Sequence, residues 1–299
     1  MLSLIICTRD PQALAAVSHS VEQTIGVPYE IVAIDNSQGK YGICEAYNVG
    51  AAQAQYELLC FMHEDIRFHT IGWGKVVASN LTDPTIGVLG ITGGRYQVAS
   101  PAAWWGCGLT LCRENVLNVF PDGHKEMDLR NPEAEVIADV AVVDGLWMCS
   151  RKEVWQKYPF DSSTFTEFHF YDVDYCTEIY KHGLRVCVSF ELLVEHHSRG
   201  SVNTSWLHNA MKYEQKRKGQ LPFGPAVLSA AEARRLEIPP LQEFINRLLS
   251  AGFPSRLILH YLRICLALDP LNADTLWLVR QWMRSIFSKS KKVLLPPAA

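Results

Sequence analysis

Short apolar runs at Leu2 to Cys7, Glu30 to Ile34, Leu58 to Met62 and Ile86 to Ile91 alternate with segments of helical spacing, and this alternation restricts the fold more than any other feature. Runs this short, bounded by Gly, Pro, Asn and Asp, read as strands. Between them Gln12 to Thr24 and Gly42 to Ala54 read as helices. In the second, Ile43, Ala46, Tyr47, Gly50, Ala51 and Ala54 recur three and four residues apart and predict one buried face. Strand alternating with helix gives βαβ units and a mainly parallel sheet covered by helices.

A chain of 299 residues with 48% hydrophobic and 20% charged side chains has the composition of one large or two small folded domains. Its net charge of -3 supplies no general electrostatic basis for nucleic-acid binding. Nine scattered cysteines without a C-x-x-C pair predict packed, reduced thiols and a cytoplasmic setting. The start of the chain has no basic segment before its apolar run, and no stretch approaches the ~20 apolar residues of a membrane span. A soluble protein is therefore expected, attached at most to a membrane surface.

In open sheets of this kind ligands gather beyond the carboxyl ends of the strands, so the residues there carry most information. They are Thr8-Arg9, Asp35-Asn36-Ser37 and His63-Glu64-Asp65. A carboxylate pair after an apolar strand suits a hard divalent cation bridging a diphosphate. Phe168 to Tyr175 opens a helix with Asp172 and Asp174 in its first turn; helix polarity alone favours acids there. Two residues apart, they point to different sides, so one is expected to face the cleft as a base and the other to hold the loop or contact an acceptor. Glu195-His196-His197-Ser198-Arg199-Gly200-Ser201 follows a further strand. Adjacent histidines on extended backbone point opposite ways, so only one is expected to reach a metal.

Gly93 to Asp139 has no regular pattern but is rich in aromatics, and reads as a substrate-side region. Ala138 to Cys149 returns as an apolar run broken at Asp144-Gly145. A short helix (Arg151 to Tyr158), a helix from Tyr171 to Lys181 and a strand region from Leu184 to Val194 follow. Residues 222 to 240, with prolines at each end, read as a linker. Leu241 to Leu249, Ser255 to Leu268 and Ala273 to Phe287 read as a small helical appendage over 241 to 288. The junction Ala267 to Ala273 is tetratricopeptide-like, and 289 to 299, including Pro296-Pro297, reads as a tail.

Taken in order, Ile5 to Arg9, Ile34-Asp35-Asn36, Gly42 to Gly50, Phe61 to Asp65, Val143-Asp144-Gly145, Tyr171 to Cys176 and His196 to Gly200 resemble family 2 glycosyltransferases of the GT-A fold, in their bacterial glycosyltransferase-like branch. The resemblance covers about residues 1 to 220. It implies an α/β fold with a mixed sheet flanked by helices, and metal-dependent, inverting transfer from a nucleotide-diphosphate sugar to a glycan, lipid-linked or protein hydroxyl. It implies that Thr8, Arg9, Asp35, Asn48, Glu64 and Asp144 contact the donor. Asp65 matches the last acid of the D-x-D motif, with His63 replacing the first. Asp65 and His197 would hold Mn2+ or Mg2+. Asp172 matches the second residue of the E-D pair that supplies the base, with Tyr171 replacing the Glu; Asp174 is the other catalytic candidate.

Two other readings fit the same residues. A sugar-phosphate nucleotidyltransferase also combines βαβ units with acidic metal ligands, but Thr8-Arg9-Asp10-Pro11 is a poor phosphate loop. A non-catalytic carbohydrate-binding or scaffold protein would keep the fold and work through its helical end. In that end, Trp277, Trp282 and Phe287 with Arg280, Arg284 and Lys289 to Lys292 suggest peripheral membrane contact, against simple packing of the aromatics.

Overall fold

The computed structural model describes residues 1–197 and 202–293, with side chains described through Ile286. Expectations placed on Ser198 to Ser201, on Pro296-Pro297, and on the side chains of Phe287 and Lys289 to Lys292 lie outside the described residues. The chain forms two compact units, one of residues 1–97 and 103–226, the other of residues 98–102 and 227 onward.

In the first unit, β1 (Leu2–Thr8) lies parallel between β2 (Tyr29–Asp35) and β3 (Leu58–Met62). The crossovers are α1 (Pro11–Thr24) and α2 (Ile43–Gln53). Asp10 caps α1 by accepting from the Gln12 N–H, and Pro11 sits in the first turn, where its missing N–H costs nothing. Helix α2 buries the face read from its spacing. At Gly50 it comes so close to the sheet that a Cβ would lie 2.4 Å from Ile5 Cγ2.

The sheet continues through β5 (Ile86–Gly90), β9 (Ile137–Val140), β11 (Trp147–Arg151) and β12 (Arg185–Ser189), in the order β2-β1-β3-β11-β5-β12-β9. Strand β11 runs antiparallel between β3 and β5, and β9 runs antiparallel to β12, so the seven-stranded sheet is mixed. On its flanks lie α3 (Trp73–Asn80), α4 (Lys152–Lys157), α5 (Tyr171–Lys181) and α6 (Thr204–Lys216). The core includes Leu4, Ile6, Met62, Trp73, Leu89 and Trp147, each buried, with Trp73 stacked on Phe68.

The region expected to be irregular instead contributes β6 (Thr92–Gly94), β7 (Cys112–Val119) and β8 (Lys125–Arg130) to a second sheet, and the start of β9 to the first. The second sheet also contains β4 (Ile66–Phe68), β10 (Val142–Val143) and β13 (Val194–His196). Strands β4, β6, β10 and β13 have two or three residues each, β8 is largely exposed, and the eight-residue β7 buries Arg113, Glu114 and Asn115, so none shows the continuous apolar run that marks a buried strand. The strand region read at Leu184 to Val194 is divided between the two sheets, as β12 and the start of β13.

The second unit comprises α7 (Ala230–Leu236), α8 (Ile238–Ser250), α9 (Ser255–Leu268) and α10 (Ala273–Val293). Leu241, Phe244, Ile245, Leu248, Ile258, Tyr261, Leu262, Cys265 and Leu278 are among its buried residues. Glu237 ties residues 98–102 to it, accepting from the N–H groups of Ala99 and Ser100 and from Ser100 Oγ. Much of the expected 222 to 240 linker is therefore helical: a Ser229–Glu232 capping box starts α7, and Pro239 and Pro240 sit in the first turn of α8. All nine cysteines are free, and eight are buried as packed hydrophobes. No described helix is long and apolar enough to cross a membrane.

Candidate functional site

The polar strand ends converge on one edge of the first unit. Thr8 and Asp35 are register partners on β1 and β2, and the Asn36 N–H donates to the Thr8 carbonyl at 2.7 Å. Arg9 and Asp35 are exposed there. Glu64 accepts from Thr8 Oγ1 at 2.5 Å and from the Arg9 and Asp10 N–H groups at 3.2 and 3.3 Å. This carboxylate therefore holds the turn after β1. Asn48 is placed differently from the expectation that it faces a donor. Its Oδ1 accepts from Trp155 Nε1 and the Phe160 N–H, and its Nδ2 donates to the Phe160 carbonyl, so its side chain is committed to fastening the segment after α4.

Beyond β3, His63, Asp65 and His196 offer ligand atoms within 4.8 Å of one another. Antiparallel pairing of β13 with β4 puts His196 opposite Ile66 and so next to Asp65. His196 Nε2 lies 3.7 Å from Asp65 Oδ2, and His63 Nδ1 lies 3.9 Å from Asp65 Oδ1. Asp65 Oδ1 and His196 Nε2 are both buried without a hydrogen-bond partner. Burying such atoms unsatisfied is costly, and a divalent cation between them would satisfy both, so the residues fit a metal. Burial lowers the pKa of His63, outweighing Asp65, which leaves a neutral imidazole able to ligate.

The adjacent His197 faces elsewhere. Its Nε2 is 2.7 Å from Glu195 Oε1, on the strand face opposite His196. Glu195 also accepts from Lys125 Nζ at 2.7 Å and from His69 Nε2 at 2.9 Å. Against the cost of burial, these partners hold its carboxyl down to about 2. The expected assignment of the pair is thus reversed, with His196 in the cluster and His197 in an ion-pair network. His63, read from sequence only as a departure from D-x-D, is the third member. Its position two residues before Asp65 was the available signal.

The two acids of α5 also separate. Asp174 is buried, 2.7 Å from both Arg217 and Lys216, so the expected second catalytic acid is a structural ion pair under the helix. Asp172 Oδ2 accepts from the Gly145 N–H at 3.0 Å. Asp144, in the same turn, accepts from the Leu146 N–H at 2.8 Å and from Trp104 Nε1 at 2.7 Å. Burial and the neighbouring Asp144 charge push the Asp172 pKa up to about 7. Phe170, just before the first turn of α5, has φ of 67°, a left-handed conformation that is strained for a non-glycine residue, and its buried ring packs against Trp206 and Tyr213.

Tyr171 joins the acid turn to the cluster, its Oη 2.8 Å from His63 Nε2. If Nε2 donates this hydrogen bond, Nδ1 is left as the lone-pair nitrogen facing Asp65. Space for the ring exists only because residue 145 is glycine, since a Cβ there would sit 2.0 Å from Tyr171 Oη and 2.4 Å from Cζ. Gly145→Ala is expected to cost about 1–3 kcal/mol of stability and to displace Tyr171 from His63. Urea unfolding and Mn2+ titration would measure the two effects, and wild-type Mn2+ affinity would contradict the second.

Polar strand ends along one edge of a mixed sheet, beside a metal-capable cluster, together define a GT-A fold. The model of the glycosyltransferase like family matches residues 3–221, and the chain belongs to that family. Among solved structures it is similar to GalNAc-T7 with UDP, GalNAc and Mn2+, with a TM-score of 0.51 at 14% identity over 72% of this chain and 47% of that one. The chain thus spans about half the length of that relative. It is also similar to the mannosyltransferase PcManGT from Pyrobaculum calidifontis in complex with GDP-Man and Mn2+, with a TM-score of 0.49 at 12% identity over 96% of this chain and 86% of that one. Among curated proteins, no sequence matches.

Proposed function

We propose that the protein is a metal-dependent, inverting glycosyltransferase that moves a sugar from a nucleotide-diphosphate donor to a hydroxyl of a glycan, lipid-linked or protein acceptor. The observation that carries this reading is Asp172, a carboxyl with a pKa near 7 whose neighbour Tyr171 contacts a metal-capable His63. A base titrating near the working pH combines a large ionised fraction with adequate proton affinity.

In this reading Thr8, Arg9 and Asp35 receive the base and ribose at the sheet edge. His63, Asp65 and His196 would hold the cation, and when bound it would supply Lewis-acid stabilisation to a departing diphosphate. Two imidazoles with one carboxylate favour Mn2+ over Mg2+, which prefers oxygen ligands. The Asp144 carboxylate oxygens are held by Trp104 and Leu146 and keep lone pairs for donor-sugar hydroxyls. The Gly145 N–H fixes Asp172 Oδ2, and Oδ1 takes the acceptor proton as the acceptor oxygen forms its bond to the anomeric carbon. Attack opposite the leaving diphosphate inverts that centre.

Nine free cysteines suit a reducing, cytoplasmic compartment. Peripheral membrane contact through α10 has exposed Trp277, Arg280 and Arg284 in its favour, whereas Trp282 Nε1 donates to the Ser255 carbonyl at 3.2 Å. Liposome flotation of the full chain decides this point, with recovery away from lipid counting against it.

The function is tested by thermal shift with UDP-, GDP-, CMP- and dTDP-sugars, with and without Mn2+, followed by NMR of the product anomer. A Mn2+-dependent shift with one nucleotide and an inverted product are expected. No shift with any donor, or a retained anomer, would overturn the corresponding part. Because Asp172 must be ionised to act, kcat/KM should rise with pH through about 7. Removing the neighbouring charge in Asp144→Asn should move that acid limb to lower pH, and an unmoved limb would detach it from Asp172.

A further inference from the structure

We infer that an aromatic rim around Asp144 and Asp172 is the acceptor subsite and that it takes a pyranose ring; this rests on the glycosyltransferase reading above. Among the described residues of the first unit, the exposed Trp and Phe side chains are Trp105, 39% accessible, and Phe168, 46% accessible. Trp105 adjoins Trp104, which donates to Asp144, and Phe168 adjoins Tyr171, the residue before Asp172.

Trp104 donates its indole N–H to Asp144, and its ring meets Trp105 edge-on at 5.6 Å. Trp105 lies nearly parallel to Trp206, 22° between planes and 6.4 Å between centroids. Trp206 packs on Phe170 at 5.1 Å, two residues before Asp172, and Asp172 closes the circuit through the Gly145 N–H. On the cluster side, Phe168 leans on His63 at 5.4 Å and on Tyr171 at 6.0 Å. Every ring in the rim is braced by a neighbour, and two keep surface in water.

Aromatic side chains with a few convergent polar groups are the usual lining of small-molecule sites. A pyranose suits this arrangement. One face of the ring carries several C–H groups, which lie against the negative face of an indole, while its hydroxyls point outward toward a carboxylate such as Asp172. An open-chain polyol has the same hydroxyls without a rigid C–H face, and a Ser or Thr hydroxyl of an unmodified peptide offers no ring.

The test measures binding of methyl pyranosides of glucose, galactose, mannose and N-acetylglucosamine by saturation-transfer NMR, with glucitol as the open-chain control. Wild-type protein, Trp105→Ala and Trp105→Phe are compared. At least one pyranoside should bind the wild type through its ring C–H protons and bind Trp105→Ala roughly tenfold more weakly. Trp105→Phe should retain most of the affinity, and glucitol should give no signal. Unchanged melting temperatures would show that both variants fold, as expected for a half-exposed side chain. Absence of any pyranoside signal in the wild type, equal affinity in Trp105→Ala, or equal binding of glucitol would overturn the inference. Nucleotide-sugar binding with Mn2+ is measured separately. Its failure alongside intact pyranoside binding would sink the transferase reading, and the converse would sink only the subsite.

Discussion

Asp172→Asn is expected to lower transfer by about 10²–10⁴-fold while leaving nucleotide-sugar affinity within a few fold, because the amide keeps the side-chain shape and can still accept from the Gly145 N–H but cannot take a proton. The same variant should be more stable than the wild type at alkaline pH. A folded pKa raised from 3.8 to about 7 means that ionised Asp172 opposes folding. That cost is absent below the unfolded pKa, grows as pH rises from about 4 to 7, and is constant above. Asp172→Asn should therefore gain about 4 kcal/mol at pH 8 and almost nothing at pH 4, read by urea unfolding at both pH values. Loss of donor binding in parallel with transfer would remove Asp172 from the role of base. A pH-independent stability difference would mean that its charge is not buried at cost.

His196→Ala is expected to weaken Mn2+ binding by at least about a hundredfold, since removing a ligand should exceed the 10–100-fold typical of its supporting contacts. Mn2+-dependent donor binding should fall with it. His197→Ala should leave Mn2+ affinity within a few fold, because its imidazole belongs to the Glu195 network. Electron paramagnetic resonance of bound Mn2+ distinguishes the two without reliance on turnover. Equal loss in both variants, or loss only in His197→Ala, would overturn the assignment of His196. Asp65→Ala serves as the positive control and should match His196→Ala.

Both predictions concern neighbouring polar residues whose roles diverge, and there local sequence stops being informative. Asp172 and Asp174 share a helix turn and a charge, and the spacing states only that they face different ways. Which one looks into the cleft depends on α6, distant in the chain, which brings Lys216 and Arg217 under Asp174. His196 and His197 alternate about a strand, and the parity is set by the register of β13 against β4. A shift of one residue would exchange their places. Asn48 has the polarity of a ligand contact, but the segment after α4 satisfies its hydrogen bonds. The prolines at 239 and 240 are equally at home in a linker and in a first helical turn, and the chain following them decides between the two.

What the sequence determined by itself was the succession β1-α1-β2-α2-β3 and the polar residues at the strand ends. Hydrophobic period and side-chain alternation are local properties, and in a parallel sheet the crossover connection places successive strand ends on one edge. Only the tertiary structure decided which of those residues meet. It inserted β11 antiparallel beside β3, bringing Asp144 and Gly145 to Asp172, and placed β6, β7 and β8 of 92–140 in a second sheet whose short, exposed or polar-lined strands leave little hydrophobic pattern. Long-range pairing is selected by burial summed over the whole unit, so the contact between Tyr171 and His63, 108 residues apart, is absent from any window of sequence.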